Sequence, residues 1–129
     1  MKFYLARGLF IFGSLLFLAS LGITLGHIGD PEFAQHSWYH FFREGGGLIA
    51  QLIVISAILF GPKHWKTPVT WGMLAVLLAG IFLPFWVGMP FNEALSAPHI
   101  RAEIAHVGQA VLMTVALFLA RPEFINKNT

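Results

Sequence analysis

Apolar residues come in long blocks along this chain, separated by short polar or proline-bearing stretches. A helix that crosses a bilayer needs about 20 mostly apolar residues. The first block, residues 3–25, meets that length and is interrupted only by Arg7, near enough to the end for its side chain to reach the interface. A signal-peptide core is shorter, about 7–15 residues, and is followed by a small-x-small cleavage site. Ala19-Ser20-Leu21 does not fit that site, so the block is read as a retained span. Gly22 and Gly26, four apart, form a small-xxx-small pair suited to seating another helix.

The second block is less uniform. Asp30 suits a helix cap, Pro31 the first helical position and Glu32 the first turn, so a helix is expected from near Pro31. Its aromatic and histidine-rich start suits the membrane interface, and residues 41–60 form the membrane part. Gly45-Gly46-Gly47 is a candidate kink or break. Gly61-Pro62 then stops the helix. Lys63 to Lys66 read as a tight basic loop, and Thr67-Pro68 as a cap followed by a first-turn proline. A third span over 68–89 has small faces at Gly72, Ala75, Ala79 and Gly80, with a kink expected at Pro84. Pro90, Asn92 and Glu93 belong to the next connection. The fourth span covers 101–120, opening near Pro98 and closing at Arg121-Pro122. The pattern predicts an all-α, integral membrane four-helix bundle forming one domain over 1–129.

Composition agrees. Hydrophobic residues make up 57% of the 129 and charged residues 11%, well under the roughly 25% of soluble domains. Mean hydropathy is +0.71. With no cysteine, disulfides, thiolate metal ligands, iron–sulfur clusters and cysteine nucleophiles are excluded. The net charge of +2 is spread singly over segment ends, which argues against a nucleic-acid surface.

Charge also orients the spans. Lys2, Arg7, Lys63, Lys66, Arg121 and Lys127 fall on one side, and only Arg43 and Arg101 on the other. By the positive-inside rule both termini are expected in the cytoplasm, in an antiparallel N-in/C-in arrangement within the inner membrane. His27, His36, His40, His99 and His106 then share the outer end, leaving His64 inside.

Those outer residues carry the candidate chemistry. His99, Glu103 and His106 stand at i, i+4 and i+7, on one helical face, and His36, His40 and Glu44 repeat at intervals of four. A Glu-x-x-His turn, here Glu103 and His106, is a building block of di-iron and di-manganese bundle sites. Nitrogen and carboxylate donors without thiolate suit iron, copper, zinc or manganese. The expected metal set is His36, His40, Glu44, His99, Glu103 and His106. One ion holds only a subset, because His36 to Glu44 spans about 12 Å of helix axis, and a full di-iron set would show a second Glu-x-x-His turn. If the site is catalytic, its chemistry is redox or metal-assisted work on a lipid-soluble substrate. Haem b held by His40 and His106 is an alternative, as is a quinone over Trp38, Tyr39 and Trp86. Each metal reading requires the second and fourth helices to face each other at their outer ends, as neighbours or across a diagonal.

Plainer roles compete. Histidine and tryptophan are common at bilayer interfaces, and His106 can simply hydrogen-bond Glu103. Arg43 and Arg101 can pair with Glu44, Glu103 or lipid phosphate. Gln51, Ser56, Gln109 and Thr114 can close interhelical hydrogen bonds. A non-enzymatic accessory or scaffold subunit, or a homo-oligomer packed through the glycine faces, is the competing functional class. No P-loop, dinucleotide fingerprint, nucleophile elbow or His-Glu-x-x-His zinc motif occurs. In length and number of spans the chain resembles small bacterial four-helix membrane proteins such as the DoxX-like group. The resemblance implies a membrane bundle and no site residue.

Overall fold

The computed structural model describes residues 1–26, 28, 31, 32, 35–83, 91 and 100–125. They form an all-α arrangement of four helices: α1 Lys2–Leu25, α2 Gln35–Phe60, α3 Pro68–Leu83 and α4 Ile100–Ile125. A single 3-10 turn, Lys63–Trp65, joins α2 to α3. Three of the helices, α1, α2 and α4, are long and apolar enough to cross a membrane, and α3 is a shorter apolar helix over its described length. The expected cap at Asp30, the kink at Pro84, the connection through Pro90, Asn92 and Glu93, and the start near Pro98 lie outside the described residues.

α1 against α4 is the most extensive packed face; α3 also packs on α4, and α2 meets α3 more than α1. α2 and α4 share no comparable face, so they stand diagonally across the bundle. Residue pairs set the register of α1 on α4. The Phe3 ring meets Phe124 edge-on at 6.4 Å, Gly13 lies against Met113, and Ser20 bonds His106. The two helices therefore run in opposite directions. Small residues make the approach close: Ala6, Ala110, Ala116 and Ala120 are all buried along this seam. A β-carbon on Gly13 would come within 2.9 Å of Met113 Cγ. In a bilayer the helices gain little by leaving lipid for each other, so this kind of close contact is what holds them. Gly22, Gly72 and Gly80 do not serve in this way, since a β-carbon on any of them would meet nothing within 4 Å.

The core gathers toward the end that holds both the start of α1 and the end of α4. Phe10, Ile55, Leu59, Leu74, Met113, Leu117 and Phe124 are buried there. Cations seal this end by filling helix-terminal acceptors. Arg7 donates through Nε and a terminal nitrogen to Leu59 O at 3.1 and 2.9 Å, and its guanidinium lies over the Phe3 and Phe60 rings at 4.5 and 5.2 Å. Lys66 is only 3% exposed and donates to Gly61 O at 2.5 Å. Carbonyls left free at a helix C-terminus attract such cations. The basic loop thus buries one of its two lysines. Trp71 Nε1 donates to Leu117 O at 3.2 Å, tying α3 to α4, and Arg121 covers the same ring at 5.6 Å.

Local signals place the helix ends. α2 ends at Phe60, as Gly61-Pro62 predicts. A side chain on Gly61 would collide with the Ala57 carbonyl and the Trp65 ring, so only glycine allows the chain to turn there. Thr67 caps α3: its hydroxyl accepts from Thr70 N–H at 3.1 Å, and Thr70 Oγ1 accepts from Thr67 N–H at 2.9 Å. That is a reciprocal capping box with threonine in place of the usual glutamate. Three expectations are corrected. α2 begins at Gln35, and Pro31 and Glu32, expected in its first turn, lie in a turn before it. α2 runs without a break through Gly45-Gly46-Gly47, since each glycine still supplies its N–H and carbonyl to the helix. α4 continues past Pro122 to Ile125. Proline removes one N–H donor, but the fully buried Phe124, packed on Phe3, anchors the extra turn.

The buried Lys66 has a pH consequence. Burial first, then repulsion from Arg7, lower its pKa below the ordinary 10.5, and Glu123 offsets part of this. The folded chain holds this proton less tightly than the unfolded chain. Its contribution to stability therefore rises as pH climbs through the lowered folded value toward 10.5. Thermal unfolding in detergent should show increasing stability over that interval, and Lys66→Met should flatten the rise. An unchanged slope in the variant would contradict the assignment.

Candidate functional site

At the end of the bundle away from the termini the helices do not close completely. A cavity of about 260 Å³ lies between them, lined from all four. α1 supplies Phe17, Ser20 and Leu21; α2 supplies Phe41, Glu44, Gly45 and Leu48; α3 supplies Ile81 and Phe82; α4 supplies His106 and Gln109. Its volume sits just below the 300–1,000 Å³ typical of ligand pockets. The walls are mostly apolar, with a few polar groups converging from three helices.

The polar groups differ in state. His106 Nε2 lies 2.8 Å from Ser20 Oγ, a hydrogen bond between α4 and α1. Helical spacing places Gln109 one turn beyond His106 on the same face. Gln109 is 2% exposed, and its Oε1 meets no hydrogen-bond partner among the described residues. Glu44 sits at the rim with its side chain 67% exposed, 3.9 Å from a terminal nitrogen of Arg43. An exposed pair of this kind contributes little to stability. Gly45, beside it, is buried, and a β-carbon there would meet nothing within 4 Å. The missing side chain is thus part of the cavity's space.

The expected histidine–glutamate set is only partly assembled. Glu44 and His106, from diagonal helices, line one cavity. His40 does not line it. Arg43 lies 3.3 Å from His40 Nδ1. A guanidinium can only donate, so Nδ1 accepts, and the 3.9 Å approach of Glu44 to the same nitrogen is proximity within one helix. Glu103, partly buried in the first turn of α4, forms no hydrogen bond or ion pair among the described residues. The anticipated Glu103–His106 bond is absent: His106 reaches across to Ser20 instead of back along its own helix. His36 lies in the first turn of α2, its side chain outside the described residues, as are His27 and His99 entirely. Among the described residues no three His, Asp or Glu side chains gather closely enough to hold a metal ion.

The aromatic surround also differs from the expected one. Trp38 packs on Phe41 and Phe42 at 5.7 and 6.4 Å, and Tyr39 is exposed under Arg43. Neither lines the cavity, and Trp86 lies outside the described residues. Phe17, Phe41 and Phe82 supply the aromatic walls instead. Ser20 and Gly45 were not singled out as site residues from the sequence. Ser20 carries no local signal, because its role depends on the register of α1 against α4.

The chain matches no protein-family model, no curated protein and no solved structure. What this site does is therefore argued from its own geometry.

Proposed function

We propose that this is a four-span protein of the inner membrane that binds a small lipid-soluble molecule in the cavity at its outer end. In this reading the helices alternate in direction and both termini are cytoplasmic. The six-to-two division of Lys and Arg supports that orientation. The aromatic-lined cation seal of Arg7, Lys66 and Arg121 fits a cytoplasmic interface. A reporter fused after Thr129 or within residues 63–66 should report the cytoplasm, and one at Phe91 the outside. A C-terminal reporter outside would contradict the orientation.

The observation that carries the binding proposal is the cavity itself: apolar walls from four helices around a buried amide with an uncommitted oxygen. Apolar lining with a few convergent polar groups is the usual make-up of a small-molecule site. A buried polar atom inside a membrane protein costs free energy until it is met. Among the described residues the transition-metal reading has Glu44 and His106 facing this space, fewer than the three protein ligands of a typical catalytic site.

Filling the cavity tests the proposal. Leucine at position 45 would project into the space, whereas Gly46 is exposed and absent from the lining. Protein purified in mild detergent should release a stoichiometric small molecule on denaturation. Gly46→Leu should retain it and Gly45→Leu should lose it. Equal retention in both variants, or nothing released from the unmutated protein, would contradict binding here.

A further inference from the structure

Among the described residues, three buried side-chain oxygens meet no hydrogen-bond partner: Ser14 Oγ, Gln51 Oε1 and Gln109 Oε1. They come from three different helices, and helical spacing places Ser14 and Gln51 one turn beneath the cavity lining to which Gln109 belongs. Gln109 lines the cavity. Ser14 is three residues before Phe17 and seven before Leu21, so it continues the cavity-facing stripe of α1 one turn deeper. Gln51 is three residues after Leu48 and seven after Glu44, and it continues the stripe of α2 in the same direction. Arg7 bonds Leu59 O at one end of the α1–α2 pair, and residues 17–21 and 44–48 line the cavity together at the other, so α1 and α2 run antiparallel. The same antiparallel register brings 14 and 51 to one depth. Below them Ile55, Phe10 and Met113 belong to the buried core.

We infer that Ser14, Gln51 and Gln109 form the floor of the cavity and receive the hydroxyl head of a neutral, lipid-soluble ligand of the phenol or hydroquinone class. This rests on the binding reading above and adds the ligand's chemistry and its orientation, head toward the middle of the bundle. Neutrality follows from the floor, which offers two amides and a hydroxyl. An ionised head placed there would have no counter-charge and would carry a large desolvation cost. Glu44, the one carboxylate on the wall, is at the exposed rim beside Arg43. The hydroxyl follows from what the floor lacks. The two unmet amide oxygens need a donor, while the Ser14 hydroxyl can give or take a hydrogen bond. Turning either amide over exchanges its oxygen for its N–H₂ and calls for an acceptor instead. A hydroxyl does both, whereas a quinone carbonyl or an ether only accepts. Phe17, Phe41 and Phe82 provide faces for the ring.

The test uses the full chain in lipid nanodiscs and three probes of matched size: an alkylphenol, its methyl ether and an aryl trimethylammonium. The phenol should bind at least about tenfold more tightly than the ether, since a site built to bond a hydroxyl discriminates against its absence. Gln51→Leu should bring the ratio to within about twofold, and the smaller change Ser14→Ala should lower it even if Gln51→Leu fails to fold. Ether or cation binding as tight as phenol, still abolished by Gly45→Leu, would overturn the hydroxyl assignment and leave the cavity reading intact. Binding of no probe, or binding indifferent to Gly45→Leu, would overturn both.

Discussion

The close approach of α1 to α4 at Gly13 and Met113 is the constraint on which the rest of the structure depends. Apolar side chains gain little from leaving lipid for one another, so these helices are held where their backbones come near enough for dense contact. Gly13 has no side chain to keep Met113 away, and Ala6, Ala116 and Ala120 extend the seam toward the termini. From that contact the register follows in both directions. Toward the termini it closes Phe3 on Phe124. Away from them it brings Ser20 to His106.

The same contact divides the bundle. On one side is a dry core, sealed by Arg7 on the Leu59 carbonyl and Lys66 on that of Gly61. On the other, α2 leans chiefly on α3 and stands diagonal to α4, leaving a space that the bulk of Phe17, Phe41 and Phe82 does not fill. In this half Ser20 and His106 meet each other across the seam, whereas Ser56, in the other, returns its hydroxyl to Leu52 O of its own helix at 2.7 Å.

Features written in local spacing were legible in the sequence. The apolar blocks, the stop at Gly61-Pro62 and the cap at Thr67-Pro68 depend on neighbours within a turn, and the structure has all of them. Features that depend on which helix faces which were not. The glycine that matters in the seam is Gly13, not Gly22, because only the register against α4 distinguishes them. Gln51 and Gln109 were legible as polar groups inside the spans, but among the described residues the expected interhelical bonds do not form, and the Gln109 oxygen is left unmet at the cavity wall. The histidine–glutamate rows were read correctly as helical faces. The structure places those two helices across the diagonal, and among the described residues no three His, Asp or Glu groups gather. Lys66 looked like a loop cation because nothing local announces that carbonyls of Gly61 and Pro62 will turn to enclose it.

A double-mutant cycle at the seam tests this account most directly. Gly13→Val places methyl groups where Met113 Cγ already stands at 2.9 Å from the β-carbon position. Overpacking of this kind costs about 1–3 kcal/mol. Met113→Ala alone leaves a cavity in the core and costs about 2–5 kcal/mol. If the seam holds the bundle, the double variant should be more stable than the sum of the two losses, with a coupling of about 0.5–3 kcal/mol measured by reversible unfolding in detergent. Additive losses, or a Gly13→Val protein as stable as the original, would contradict it.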